Sequence, residues 1–168
     1  MRFKAQRSLL GYKIMTLVHR SYMLDTNVFN GVLDGKALPA SLANERLLVT
    51  GIQAAELRAT GKLERQAALL GVYEEIRPTS LPASSFAFDI EGAGFDQACW
   101  NDASGNFEKM LARLRQLDPK YKSAPNQVRD ILIAETAIKH GATLVTGDSN
   151  LRQVVSEFGG GATDLDDL

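Results

Sequence analysis

The chain has little of what cross-links, zinc sites and membranes require. Its 168 residues include one cysteine, Cys99, so no intramolecular disulfide can form. Two histidines, His19 and His140, cannot complete a Cys/His zinc site with that single thiol. Both shortages fit a reducing cytoplasm. No apolar run approaches the roughly 20 residues that cross a bilayer, and neither repeats nor low-complexity tracts occur. A net charge of −1 excludes a protein that holds nucleic acid by overall basicity, which leaves only the local distribution of charge for that purpose. With 45% apolar and 23% charged residues, the composition is that of an ordinary globular protein of one domain, long enough to bury a core unaided.

The first twenty residues carry Arg2, Lys4, Arg7, Lys13 and Arg20 and no acid. Gly11, Tyr12 and Lys13 break the apolar stretch, which speaks against a secretory signal. Two expectations stand for residues 1–20: a basic arm that touches nucleic acid, and a poorly ordered leader with initiation at Met15. The globular domain is expected over 21–168.

The most informative stretch is Asn126 to Asn150, NQVRDILIAETAIKHGATLVTGDSN. Pro125 suits a first helical turn, where its missing N–H is not needed. Val128, Ile131, Leu132, Ala134 and Ile138 then recur with helical spacing, and Gly141 stops the helix. Asp130 falls in or just after the first turn, where the helix dipole favours a carboxylate. A helix-start acid in water is the commoner fate of any single Asp. Asp148 changes that reading, because it emerges after the short strand Ala142–Thr146 and the turn residue Gly147. Carboxyl ends of strands are where open α/β sheets place their ligands.

Two earlier stretches repeat the arrangement. A strand around Ser21 to Leu24 ends in Asp25-Thr26-Asn27, and Val28, Phe29, Val32 and Leu33 then space a short helix stopped by Asp34-Gly35. Taken alone, Asp25 reads as an N-cap. Leu47 to Val49 is the next strand, and Thr50 with Gln53 makes a capping-box pattern for a helix from Gly51 to about Thr60 that carries Glu56. A further helix is expected between Gly61 and Ile76, a turn-rich break from Pro78 to Ser85, a helical cover up to Asn106, and a helix from Phe107 to Leu117 ended by Pro119. If the crossovers are right-handed, three strand-and-helix units bring Asp25, Glu56, Asp130 and Asp148 to one sheet edge. Such a cluster opposes folding unless positive charge compensates it. A hard divalent cation with oxygen ligands, Mg²⁺ or Mn²⁺, resolves the conflict, and the chemistry this implies is metal-dependent phosphodiester hydrolysis.

Four stretches carry a family resemblance: LDTNVF at 24–29, TGIQAAEL at 50–57, RDILIAETAIKHGATLVTGDSNL at 129–151, and the closing ATDLDDL. From Ser21 onward the chain resembles PIN-domain ribonucleases, most nearly the VapC-type toxins of bacterial toxin–antitoxin pairs. The resemblance implies a three-layer α/β/α fold with a central, mainly parallel sheet. It also implies a quartet of Asp25, Glu56, Asp130 and Asp148 around one or two Mg²⁺ or Mn²⁺ ions, and endonucleolytic cleavage of RNA. Thr26 and Asn27 follow the first acid as in the family, with the Thr26 hydroxyl behind the metal ligands. Thr146 and Asn150 match positions flanking the last acid. A small antitoxin partner and a homodimer are implied as well, the antitoxin seated near Asn27–Leu33 and Gly51–Val72 with a basic side chain reaching the acids. The chain departs from the family in its longer connection from Pro78 to Pro125, and in Gly147, where a basic or amide side chain is frequent. Glu135 stands five residues after Asp130, about 140° around a helix, and is left out of the site.

Basic residues gather around this pattern. Arg129 adjoins Asp130; Arg58 and Lys62 follow Glu56; Lys109, Arg113, Arg115, Lys120 and Lys122 precede the long helix. They read either as a groove for an RNA backbone, with Arg129 foremost, or as helix faces that meet only water. Two other classes compete. A haloacid-dehalogenase-type phosphatase would need an acid at Asn27 and another near Arg152 or Gln153. A catalytically silent PIN scaffold that binds RNA or protein would have no physical need for four clustered acids.

Overall fold

The computed structural model of the chain describes residues 19–87, 89–94, 105–118 and 123–168. The leader up to residue 18, Lys120, Lys122 and most of the expected helical cover, including Phe95 and Trp100, lie outside the described residues.

Five strands form one parallel sheet: β1 Ser21–Leu24, β2 Arg46–Thr50, β3 Thr79–Leu81, β4 Thr143–Val145 and β5 Ala162–Thr163, in the order β3-β2-β1-β4-β5. The helices are α1 Thr26–Leu33, α2 Gly51–Arg58, α3 Leu63–Ile76, α4 Asn106–Leu117, α5 Ala124–Lys139 and α6 Ser149–Glu157. From β1 the chain builds outward through β2 to β3, then returns through α4 and α5 to lay β4 on the other side of β1. The strand order therefore reverses between β1 and β4, and a crevice opens at their carboxyl ends.

Alternation along the strands divides the core into two layers. Leu24, Val49 and Val145 pack with Val28 and Phe29 of α1 and Leu69 of α3. Met23, Leu48 and Leu144 face the other way, onto Met110 and Leu114 of α4, Ile131 and Leu132 of α5, and Leu151 and Val154 of α6. Helix α2 joins both layers, Ile52 in one and Leu57 in the other. The ring centroids of Phe29 and Tyr73 lie 5.5 Å apart and fasten α1 to α3.

Local signals account for most boundaries. Thr50 and Gln53 form the reciprocal cap that starts α2. Helix α5 opens with Ser123 at its cap and Pro125 in the first turn, and ends at Gly141, whose φ of +62° suits glycine. Two elements go beyond the sequence reading. Strand β3 occupies the turn-rich break after Pro78; among the described residues it is an edge strand paired with β2 alone, and a proline just ahead of it removes no ladder bond. Helix α6 begins at Asp148 and buries Leu151, Val154 and Val155 at spacings of three and four residues. No helix among the described residues is long and apolar enough to cross a membrane.

Candidate active site

The parallel register aligns Leu24 with Val145, so both strands end together and the Asp25 N–H donates to the Val145 carbonyl at 3.0 Å. Asp25 and Asp148 are then the first residues of two helix starts. The Asp25 Oδ1 accepts from the Thr26 N–H at 2.6 Å, and the Asp148 Oδ1 accepts from the Asn150 and Leu151 N–H groups at 2.9 and 3.1 Å. Each acid thus caps a helix and is held by the cap. Glu56 arrives from α2 and Asp130 from α5. All four line one open cleft of about 440 Å³, with Thr26, Asn27, Asn30 and Asn126.

The buried hydroxyl of Thr146 ties the crevice together. It donates to the Asp25 Oδ2 at 2.6 Å and accepts from the Asn27 Nδ2 at 3.0 Å and the Asp148 N–H at 3.1 Å. Asn27 Nδ2 also donates to the Asp25 Oδ2 at 2.7 Å, while its Oδ1 accepts from the Gly147 N–H at 3.2 Å. The Thr146 hydroxyl and the Asn27 side-chain amide therefore fix two acids from two strands relative to each other. Across the cleft the Thr26 hydroxyl donates to the Glu56 Oε2. Arg129 Nε stands 3.9 Å from the Glu56 Oε1, and its Nη1 donates to the Asn126 Oδ1 at 2.8 Å.

Behind Thr146, Arg152 donates to the Thr146 carbonyl at 2.6 Å and to the Asp164 Oδ2 at 2.9 Å. The Asp166 backbone N–H, and then Arg152, hold the Asp164 carboxyl below its ordinary range against the opposing effect of burial. This link fastens the carboxyl end of β4 to the C-terminal segment. Asn30, Asn126 and Arg152 were not singled out from the sequence. Helical spacing held the signal for two of them, since Asn30 follows Thr26 by four residues on α1 and Asn126 precedes Asp130 by four on α5.

Of the expected RNA contacts, Arg129 stands beside the cleft, 3.9 Å from Glu56, without lining it. Arg58 is exposed at the end of α2, and Lys62 is the residue from which α3 starts. Arg113 is bound to Glu157 at 2.7 Å, at the end of α6 remote from Asp148. Asn150 supplies its backbone N–H, and its side chain is not among the cleft's lining. Glu135 is buried beside Lys139 at 2.9 Å and likewise does not line the cleft. A roomier cavity of about 570 Å³ lies at the amino ends of β2 and β3, lined in part by Leu42, Arg46 and Arg77, away from the four acids.

Among the described residues no three Asp, Glu, His or Cys side chains are grouped closely enough to form a ready-made metal cage. The cleft's lining is nevertheless all Asp, Glu, Asn and Thr. An oxygen donor set in an open cleft fits a hard ion that keeps several waters and is completed by substrate phosphate, and it does not fit a closed zinc site.

A central parallel sheet covered by helices on both faces, with this strand order, is the three-layer α/β/α PIN-like fold. No protein-family model and no curated protein sequence matches the chain. Among solved structures, VapBC-1 from nontypeable Haemophilus influenzae is similar over 87% of this chain and 98% of its own, at 18% identity and a TM-score of 0.51. VapBC-5 from Mycobacterium tuberculosis, a member of the VapBC family of toxin–antitoxin systems, covers 86% and 96% at 20% identity and a TM-score of 0.48. FitAcB from Neisseria gonorrhoeae covers 88% and 99% at 19% identity and a TM-score of 0.46. The likeness is one of fold.

Proposed function

We propose that the chain is a metal-dependent endoribonuclease and the toxin of a type II toxin–antitoxin pair. The observation that carries the reading is the convergence of Asp25, Glu56, Asp130 and Asp148, from four elements, on one cleft at the strand-order reversal. The fold likeness to VapBC-1 and the motif resemblance support the toxin assignment.

When bound, Mg²⁺ or Mn²⁺ supplies the positive charge that lets a phosphodiester approach four carboxylates, and lowers the barrier to attack by water. Asp25, Asp130 and Asp148, with Glu56, are the residues that would hold it. Thr146 and Asn27 keep Asp25 oriented, so this ligand does not reorganise when substrate arrives. Thr26 fixes one oxygen of Glu56. Arg129, anchored by Asn126, offers a guanidinium to the RNA beside the acids. A small antitoxin would quench the site by lying over α1, α2 and α3 with a cationic side chain at the acids, and a homodimer is part of the same reading.

Purified protein incubated with total cellular RNA and Mg²⁺, Mn²⁺ or chelator tests the nuclease. Cutting that needs metal and is lost in Asp130→Asn is the expected result. A folded wild type that cuts under no metal would overturn the reading and leave a silent scaffold in its place. A stable 1:1 complex with the product of the adjacent gene is expected, and its failure to form would remove the antitoxin.

A further inference from the structure

The acid cleft does not end at Glu56. On the other side of that side chain is a second hollow of about 230 Å³, lined by Ala55, Glu56, Ala59, Glu91 and Arg129. It is smaller than the roughly 300–1,000 Å³ of ordinary small-molecule pockets and has the scale of one planar ring system. Ala55 of α2 and Ala59, the residue that caps its end, are four residues apart and supply a small apolar floor. Arg129 donates from its Nη1 to Asn126 at 2.8 Å, and its Nε faces the Glu56 carboxylate at 3.9 Å. A guanidinium engaged at its edges is suited to stacking on a base.

The fourth wall comes from the long connection in which this chain departs from compact PIN domains. Glu91 stands on a turn closed by the Ala93 N–H donating to the Ile90 carbonyl at 3.1 Å, with Ile90 and Ala93 buried in the core. The next residue, Gly92, has φ +90° and presses on the start of α2 so closely that a Cβ there would lie 2.4 Å from the Gly51 carbonyl carbon and from the Ile52 nitrogen. The backbone at Glu91 is thereby anchored on both sides, and its exposed side chain stands at the rim of the hollow.

We propose that this hollow is a subsite for one unpaired nucleobase of the RNA and that it selects guanine. The two oxygens of the Glu91 carboxylate match the adjacent N1–H and N2–H donors of guanine. Adenine, cytosine and uracil each place an acceptor beside their Watson–Crick donor and lose one of the two bonds. Arg129 stacks on the ring and offsets the charge of the two glutamates. The subsite rests on the reading of the chain as an RNA-cutting enzyme and supplies the sequence preference that four carboxylates around an ion lack.

The test uses single-stranded oligouridylates carrying one central guanosine, inosine, adenosine or cytidine. Cleavage is followed with Mn²⁺, and affinity is followed by fluorescence anisotropy with Ca²⁺ in its place, for the wild type and Glu91→Gln. Guanosine is expected to be favoured by roughly tenfold to a hundredfold, with most of that ratio lost for inosine, which lacks the N2 donor, and erased in Glu91→Gln. Equal handling of the four oligonucleotides by the wild type, or a guanosine preference that survives in Glu91→Gln, would overturn the subsite. Cutting without preference would sink the subsite and keep the nuclease. Guanosine-selective binding lost in Glu91→Gln, with no cutting under any metal, would keep the subsite and sink the nuclease.

Discussion

Thr146 is buried and its hydroxyl serves three partners, so Thr146→Val isolates what that one oxygen contributes. Valine has the same shape, and no cavity opens. A bond to a charged acceptor contributes about 1.5–3 kcal/mol, and the Asp25 carboxylate loses one such donor. The Asp148 N–H loses its acceptor, for about 1 kcal/mol more. Asn27 keeps Asp25 as a second acceptor and adds little. Thr146→Val should therefore destabilise by about 2.5–4 kcal/mol, which moves the urea midpoint down by roughly 1–2 M at ordinary m-values. Thr146→Ser keeps the hydroxyl and deletes one buried methyl, for about 1 kcal/mol. Urea unfolding of the three proteins, followed by circular dichroism, measures the contrast. A valine variant within about 0.5 kcal/mol of wild type, or a serine variant less stable than the valine one, would refute the assignment of Thr146 as the link between the two acids.

If an ion compensates the four acids, then at about a hundredfold excess over its dissociation constant it stabilises the fold by about 2.7 kcal/mol. That is roughly 5–10 °C for a chain of this size; Mn²⁺ should raise the melting temperature of the wild type by this amount, and Asp130→Asn should abolish the rise. Glu157 is held at about 2, against its ordinary 4.5, by Arg113 and then by Gln153. Its folded value is depressed, so the contribution is present above pH 4.5 and disappears as the pH falls toward 2. Arg113→Gln should flatten the urea midpoint across that window, by an amount that salt reduces because the pair is exposed. Gly160→Ala places a Cβ 2.6 Å from the Ile138 Cγ1 and 2.7 Å from the Val155 Cγ1. Overpacking of this kind destabilises by about 1–3 kcal/mol, measurable by thermal melting.

Apolar spacing alone is enough to read α3 and α4, and the other helices that the sequence announces have ends marked by local chemistry. Asp25, Thr50 and Pro125 announced the starts of α1, α2 and α5, and Gly35 and Gly141 announced two stops. Strand β3 gave no such signal, because an edge strand of three residues owes its conformation to β2 and not to its own residues. The meeting of the four acids at one cleft was legible because Asp25 and Asp148 each follow a strand of a parallel sheet, while Glu56 and Asp130 lie in the second turns of the helices beside them. Their partners were less so. The Asn27–Thr146 bond spans 119 positions, and the contact of Gly92 with Gly51 depends on a turn whose place no local pattern fixes. The basic residues were the least legible, since only the fold separates Arg129, beside Glu56, from Arg113, consumed by Glu157.

Asp25 and Asp148 each begin a helix, and this couples foldedness to chemistry in the genetics of the chain. Most replacements at either position remove a cap as well as a carboxylate, so they deplete the protein along with any activity. Asparagine is an exception, since it caps about as well as aspartate and carries no charge, and glycine costs the cap only a little. A selection for loss of activity that also demands normal protein levels should therefore return Asp→Asn, and after it Asp→Gly, at these two positions, each by a single base change in the codon, ahead of the other single-base substitutions there.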